Sequence, residues 1–161
     1  MKTHLSIALA VNIKTINPDF SVSPQLTPND VAQAKAQGIR SIICNRPNGE
    51  AADQASEQSV REAAEQAGLA FRSIPFSAGK QTEADIAAFT LALKELPAPV
   101  LAYCRTGTRS TGIWAQASAA LLSVDEIIAQ AGQAGFDLSK LRDALTQRAS
   151  AKASSRNCAS K

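Results

Sequence analysis

The chain has 161 residues, 45% apolar and 19% charged, which suits one domain with a real hydrophobic core. No apolar run approaches the roughly 18–20 residues that span a bilayer, and the start "MKTHLSIALAV" has too short an apolar core for a secretion signal. The net charge of +3 is concentrated at the end: Lys140–Lys161 holds six basic residues and one acid, against 11 basic and 13 acidic residues before it, so the body is not a nucleic-acid surface.

Residues 1–11 read as an N-terminal extension, 12–148 as a single domain and 149–161 as a basic, Ser/Ala-rich disordered tail. Within the domain, "VNIKTI" and "FSVS" read as short strands joined by the turn "NPD". "TPNDVAQAKAQG" is a helix with Thr27 as N-cap, Pro28 at its first position, Asp30 in the first turn and Gly38 at its end. Ile39–Asn45 is a strand, "RPNGEAAD" a polar loop, and Ser56–Ala67 a helix closed by Gly68. "AFRSIPF" is the next strand, "SAGK" a loop, and "TEADIAAFTLALKEL" an amphipathic helix with Ile86, Phe89, Leu93 and Leu96 near one face. "APVLAYC" is a wholly apolar strand of the buried parallel kind. A helix then carries Ile113, Trp114, Ala117 and Leu121 on one face, another begins at Ser123 and stops at Gly135, and "DLSKLRDALTQRA" is the last. Strands alternating with helices predict a three-layer α/β/α domain around a mainly parallel sheet of four to five strands.

The cysteines, Cys44, Cys104 and Cys158, are odd in number and lack metal-type spacing, so the expectation is a reducing, cytoplasmic setting with no disulfide framework, metal or cofactor. His4 is the single histidine, so cysteine chemistry must be activated by something other than imidazole. Cys104 meets that demand. It ends the most apolar strand, and ligands of parallel α/β sheets gather at the carboxyl ends of strands. The loop after it, Arg105, Thr106, Gly107, Thr108, Arg109 and Ser110, has the makings of an anion nest at a helix N-terminus. Gly107 permits the turn, and the loop's N–H groups favour a thiolate over a thiol. Arg109 is expected to fold back on the loop or a bound anion, Arg105 to face an incoming anionic group, and Ser110 to cap the helix or bond the sulfur. Cys44 ends its strand without such a loop and reads as core; Cys158 reads as incidental.

The loop resembles those of two enzyme classes. Protein tyrosine phosphatases have Cys-x5-Arg, whereas Cys104 to Arg109 is Cys-x4-Arg. Rhodanese-type sulfurtransferases have a six-residue loop often reading Cys-Arg-x-Gly-x-x, which "CRTGTR" fits. The smaller cradle suits sulfur better than a phosphoryl group. A phosphatase also needs a general acid, yet Gln66–Thr82 holds no acidic residue. Glu83 and Asp85 look like charges for a helix dipole, leaving Glu50 and Asp53 as the possible acids. Both arguments favour a sulfurtransferase with a Cys104 persulfide, a small anionic sulfur donor and a thiol acceptor. The alternative is a phosphatase acting on a phosphoester through a cysteinyl-phosphate, and the third reading is a non-catalytic anion-binding module.

"PDFSVSPQLTPNDV", "NRPNGE", "VLAYCRTGTRS" and "GFDLSKLR", spread over Asn12–Arg148, together resemble the phosphatase-like domain of beta-lactamase-hydrolase-like proteins. The resemblance implies a protein-tyrosine-phosphatase-like fold related to the dual-specificity enzymes, with Cys104 as nucleophile. It also brings "NRP" beside the loop, making Arg46 and Asn45 candidate anion contacts. Such domains occur alone or fused to persulfide dioxygenases or sulfide quinone oxidoreductases. The resemblance implies that any such partner here is a separate protein.

Overall fold

A computed structural model describes residues 11–159, with side chains as far as residue 151. The expectations for residues 1–10, His4 included, and for the side chain of Cys158 lie outside the described residues.

The chain opens with a hairpin of β1 (Lys14–Asn17) and β2 (Phe20–Ser23), turned where the Asp19 N–H donates to Asn17 Oδ1 at 2.9 Å. Then follow α1 (Pro28–Ala36), β3 (Ser41–Cys44), α2 (Glu57–Gln66), β4 (Ala70–Ser73), α3 (Glu83–Glu95), β5 (Val100–Tyr103), α4 (Thr108–Ser118), α5 (Val124–Gln133) and α6 (Arg142–Ala159). The helix starts follow from short polar caps. Ser56, Thr82 and Ser123 each accept a backbone N–H three residues on, and Asp85 and Glu126 reach back to the capping residue.

The five strands form one mixed sheet in the order β1-β2-β5-β3-β4, with β1 antiparallel and the other pairs parallel. β3 ("SIIC") and β5 ("VLAY") are buried along their whole length, which places these apolar runs at the sheet's centre. Alternation along the strands divides the core between two faces. Leu101, Tyr103, Ile42 and Cys44 pack with Val31 and Ala34 of α1 and Val60 and Ala64 of α2. Ala102, Val22 and Ile43 pack with Ile86 and Phe89 of α3, Ile113 and Trp114 of α4, Ile127 of α5 and Leu145 of α6. Trp114 stacks on Phe20, ring centroids 5.8 Å apart. The result is the expected three-layer α/β/α architecture.

Two details differ from the sequence pattern. Leu121 lies outside α4 and is 80% exposed, because the Leu121 and Leu122 N–H groups both close on the Ser118 carbonyl and turn the chain before Ser123 caps α5. The last helix is preceded by a separate 3-10 turn, Ser139–Leu141, and its backbone stays helical through the tail segment as far as Ala159. Among the described residues no helix is long and apolar enough to cross a membrane.

Candidate active site

β5 runs parallel to both neighbours, β2 and β3, and Cys104 follows its last residue. The sulfur is therefore delivered to the carboxyl edge of the sheet, on the side where α4 begins. Cys104 is fully buried, and its Sγ accepts the Gly107 N–H at 3.1 Å. Gly107 is the N-cap of α4 with φ +96°, a left-handed conformation that glycine adopts freely. A Cβ there would come within 3.1 Å of the Phe136 ring, so both backbone and space call for glycine. The Gly107 carbonyl accepts from the Thr111 N–H at 3.0 Å and the Thr111 hydroxyl at 2.8 Å, fixing the turn from the helix side.

Arg109, in the first turn of α4, reaches across to the loop after β3. Its Nη1 and Nη2 each donate to a different oxygen of Glu50 at 2.8 Å, and Nη1 also donates to the Phe76 carbonyl at 3.1 Å. Arg46, 5% exposed, donates from Nε to Glu50 Oε1 at 2.9 Å and from Nη1 to Gln25 Oε1 at 3.0 Å. Glu50 thus joins two guanidinium groups. The bonds from Arg109, more than those from Arg46, hold its carboxyl down at about 2 despite a smaller opposing cost of burial. In return Glu50 holds the Arg109 guanidinium above its ordinary range, with a lesser contribution from Cys104.

These groups border an open depression of about 550 Å³ lined by Arg46, Glu50, Ala51, Ala78, Arg105, Thr106, Thr108 and Arg109. Arg105 and both threonines are exposed there, the Thr106 hydroxyl donating to Thr108 Oγ1 at 3.0 Å. The loop is tied underneath as well, where the Gln25 N–H meets the Arg105 carbonyl at 3.4 Å. Asn45 and Ser110 are elsewhere. Both are fully buried; the Ser110 hydroxyl donates to Asn45 Oδ1 at 2.8 Å, and Asn45 Nδ2 donates to the Ile74 carbonyl at 2.9 Å. Together they clamp α4 to the ends of β3 and β4 beneath the depression, so the structure brings together Cys104, Arg105, Thr106, Gly107, Thr108, Arg109 and Arg46 but holds Asn45 and Ser110 behind them.

Glu50's part as an anchor for both arginines was not legible as such. "NRPNGE" places it four residues after Arg46, a spacing that permits pairing, but nothing in the sequence signals the reach to Arg109 or the supports from Gln25 and the Phe76 carbonyl. A residue bonded in this way is no acid, which removes Glu50 from the general-acid candidates.

The fold is that of protein-tyrosine-phosphatase-like proteins. Kinase-associated phosphatase, carrying serine for its catalytic-site cysteine, shares the fold at TM-score 0.65 and 16% identity, over 91% of this chain and 98% of that one. A Neisseria meningitidis protein described as a candidate phosphatase is more similar, with TM-score 0.75 and 38% identity over 84% of this chain and 97% of that one.

Within that class, residues 12–121 match the family described as beta-lactamase hydrolase-like protein, phosphatase-like domain, and the chain belongs to it. A beta-lactamase hydrolase-like protein of Xylella fastidiosa is 33% identical over 132 residues, covering 81% of this chain and 31% of that protein. One from Agrobacterium fabrum is 37% identical over 99 residues, 62% of this chain and 23% of that protein. The chain thus spans about a third or less of the length of these relatives.

These findings overturn the preference for a sulfurtransferase with a Cys104 persulfide. The matching family is phosphatase-like, and the similar Neisseria structure is described as a candidate phosphatase. The loop-size argument failed for a physical reason. The six residues "CRTGTR" do not stand alone: Arg46, Ala51 and Ala78, from two other loops, line the depression beside Arg105, Thr106, Thr108 and Arg109. Arg109, one position early, still reaches the site because Glu50 and the Phe76 carbonyl hold it there.

Proposed function

We propose that the protein is a phosphomonoester hydrolase that works through a cysteinyl-phosphate on Cys104. The observation that carries this reading is Cys104 Sγ at 3.1 Å from the Gly107 N–H, at the N-terminus of the helix that also supplies Arg109. That N–H and the positive end of the helix face the sulfur that attacks phosphorus. Arg109 is the phosphate clamp. Glu50 takes its Nη1/Nη2 edge and the Phe76 carbonyl the remaining Nη1 hydrogen, leaving the Nε/Nη2 edge for Cys104 and an incoming anion. A guanidinium fixed in this way loses little further freedom on binding, and its charge is aimed before the reaction begins. Arg105 and Arg46 add positive charge at the rim and floor; Thr106 and Thr108 offer hydroxyls.

In the first step the thiolate attacks phosphorus, forming the S–P bond as the bond to the leaving oxygen breaks. Water then attacks the cysteinyl-phosphate, inorganic phosphate departs and the thiolate returns. A free thiolate nucleophile suits a reducing compartment, which makes the cytoplasm the proposed setting. The test is hydrolysis of an aryl phosphate by the wild-type protein and by Cys104→Ser. Turnover that disappears with the sulfur supports the reading; equal turnover by both proteins refutes it.

A further inference from the structure

The carboxylate that lines the depression, Glu50, is already engaged, and that bears on which phosphates the site turns over. Glu50 is the acidic residue in its lining; its Oε1 accepts from Arg46 Nε at 2.9 Å and Arg109 Nη2 at 2.8 Å, and its Oε2 from Arg109 Nη1 at 2.8 Å. With its carboxyl held at about 2, it carries no proton to give at neutral pH. Ala78, which also lines the depression, lies within the acid-free stretch 66–82. At the end of that stretch, Asp85 Oδ2 accepts the Thr82 N–H at 2.8 Å, and Glu83 is bonded to Arg148 at 2.5 Å. The other groups in the lining are guanidiniums, which do not give up a proton, and threonine hydroxyls.

What the site does supply is charge. Three guanidinium groups face one carboxylate, which matches a phosphate dianion. Such a site stabilises the transferring phosphoryl group but does not protonate the leaving oxygen. Resting on the phosphatase reading above, we propose that the substrates are phosphate esters and anhydrides whose leaving group departs unprotonated: aryl phosphates of acidic phenols, and acyl phosphates. In the first step the Cys104 S–P bond forms, and the leaving oxygen keeps the electron pair of the broken P–O bond and departs as the phenolate or carboxylate anion. Alkyl phosphates, and the phosphate of a tyrosine whose phenol has a pKa of about 10, are poor substrates.

The experiment compares kcat/KM for acetyl phosphate, 2,4-dinitrophenyl phosphate, phosphotyrosine and an alkyl phosphate, on wild type, Cys104→Ser and Asp53→Asn. kcat/KM reports the step that forms the cysteinyl-phosphate, free of its later hydrolysis. Because a positioned general acid is worth about 10²–10⁴-fold, Cys104-dependent kcat/KM should fall by at least about 10²-fold from dinitrophenyl phosphate to phosphotyrosine, and further to the alkyl ester. Asp53, exposed in the loop that carries Ala51, is the control; its asparagine variant should follow the same slope. Cys104-dependent turnover of the alkyl ester within about tenfold of the dinitrophenyl ester would overturn the substrate class while leaving the phosphatase reading intact. So would a loss in Asp53→Asn confined to the esters with poor leaving groups. No Cys104-dependent turnover of any of the four compounds would overturn both.

Discussion

Cys44 and Cys104 sit almost side by side, at the carboxyl ends of the adjacent parallel strands β3 and β5. The register pairs Cys44 with Tyr103, so Cys104 is one residue further along, and one residue turns a side chain to the other face of the sheet. Cys44 faces α1 and α2 and packs with Leu26, Ile42 and Tyr103. Its thiol is pushed up to about 11, chiefly by burial. Cys104 faces α4, whose capping N–H meets its sulfur. The residues that follow complete the divergence. After Cys44 the chain buries Asn45 and Arg46 and makes no helix until Glu57; after Cys104 it turns at Gly107 and starts α4 at once. Two buried thiols on neighbouring strands are thus given different surroundings by register and by the next few residues. Fold and burial alone do not distinguish them.

The largest break of this comparison is exchange of the sulfur. Cys104→Ser should lower phosphatase kcat by about 10⁴-fold or more, as loss of a nucleophile does, while thermal unfolding changes little. Cys44→Ala, with its thiol on the other face, should leave kcat within about twofold, costing about 1 kcal/mol of stability in denaturant unfolding, an ordinary figure for a core truncation. Next is the clamp. Arg109→Lys removes the planar fork that meets Glu50 with two donors, and kcat/KM should drop by about 10²–10³-fold.

Glu50→Gln is a smaller change, since the clamp stays but its anchor weakens. It should lower kcat/KM by up to about 10²-fold, with the loss shared by KM, as expected of a misaligned guanidinium. Glu50 also sets an acid limit. Its folded carboxyl titrates at about 2 against an ordinary 4.5, so as pH falls below 4.5 the unfolded chain takes up the proton first. Stability contributed by this group is intact above pH 4.5 and is lost towards pH 2, and Glu50→Gln should flatten that part of the stability–pH curve. The smallest effect belongs to Cys44. Its folded thiol ionises near 11 rather than 9.0, so its contribution is complete below pH 9.0 and fades as pH rises to 11. Cys44→Ala should remove that alkaline decline in denaturant melts.

Much of the fold was legible in the sequence because its signals are local. Thr27, Ser56, Thr82 and Ser123 are small polar caps at helix starts, and "SIIC" and "VLAYC" are apolar runs that only a sheet centre can bury. The setting of Cys104 was legible for the same reason, since strand, glycine turn and helix start lie within "VLAYCRTGTRS". Cradle size and chemistry were not. They depend on Arg46, Glu50, Gln25 and Phe76, which are brought to the loop by β2, β3 and β4 and have no fixed distance from it in the sequence. A count of residues between Cys104 and Arg109 measures the loop but not the reach of a long side chain held by distant partners. Leu121 was misread for a related reason: its helical spacing continues past the Ser118 turn that ends the helix.

The central claim is that register and the α4 N-terminus make Cys104, and not its neighbour Cys44, the phosphoryl acceptor. Acid quenching during turnover of 2,4-dinitrophenyl phosphate, followed by peptide mapping by mass spectrometry, measures this directly. A phosphoryl group on the peptide that contains Cys104, with the Cys44 peptide unmodified, is the predicted result. Turnover with no phosphoryl group on Cys104, or with the label on Cys44, would contradict it.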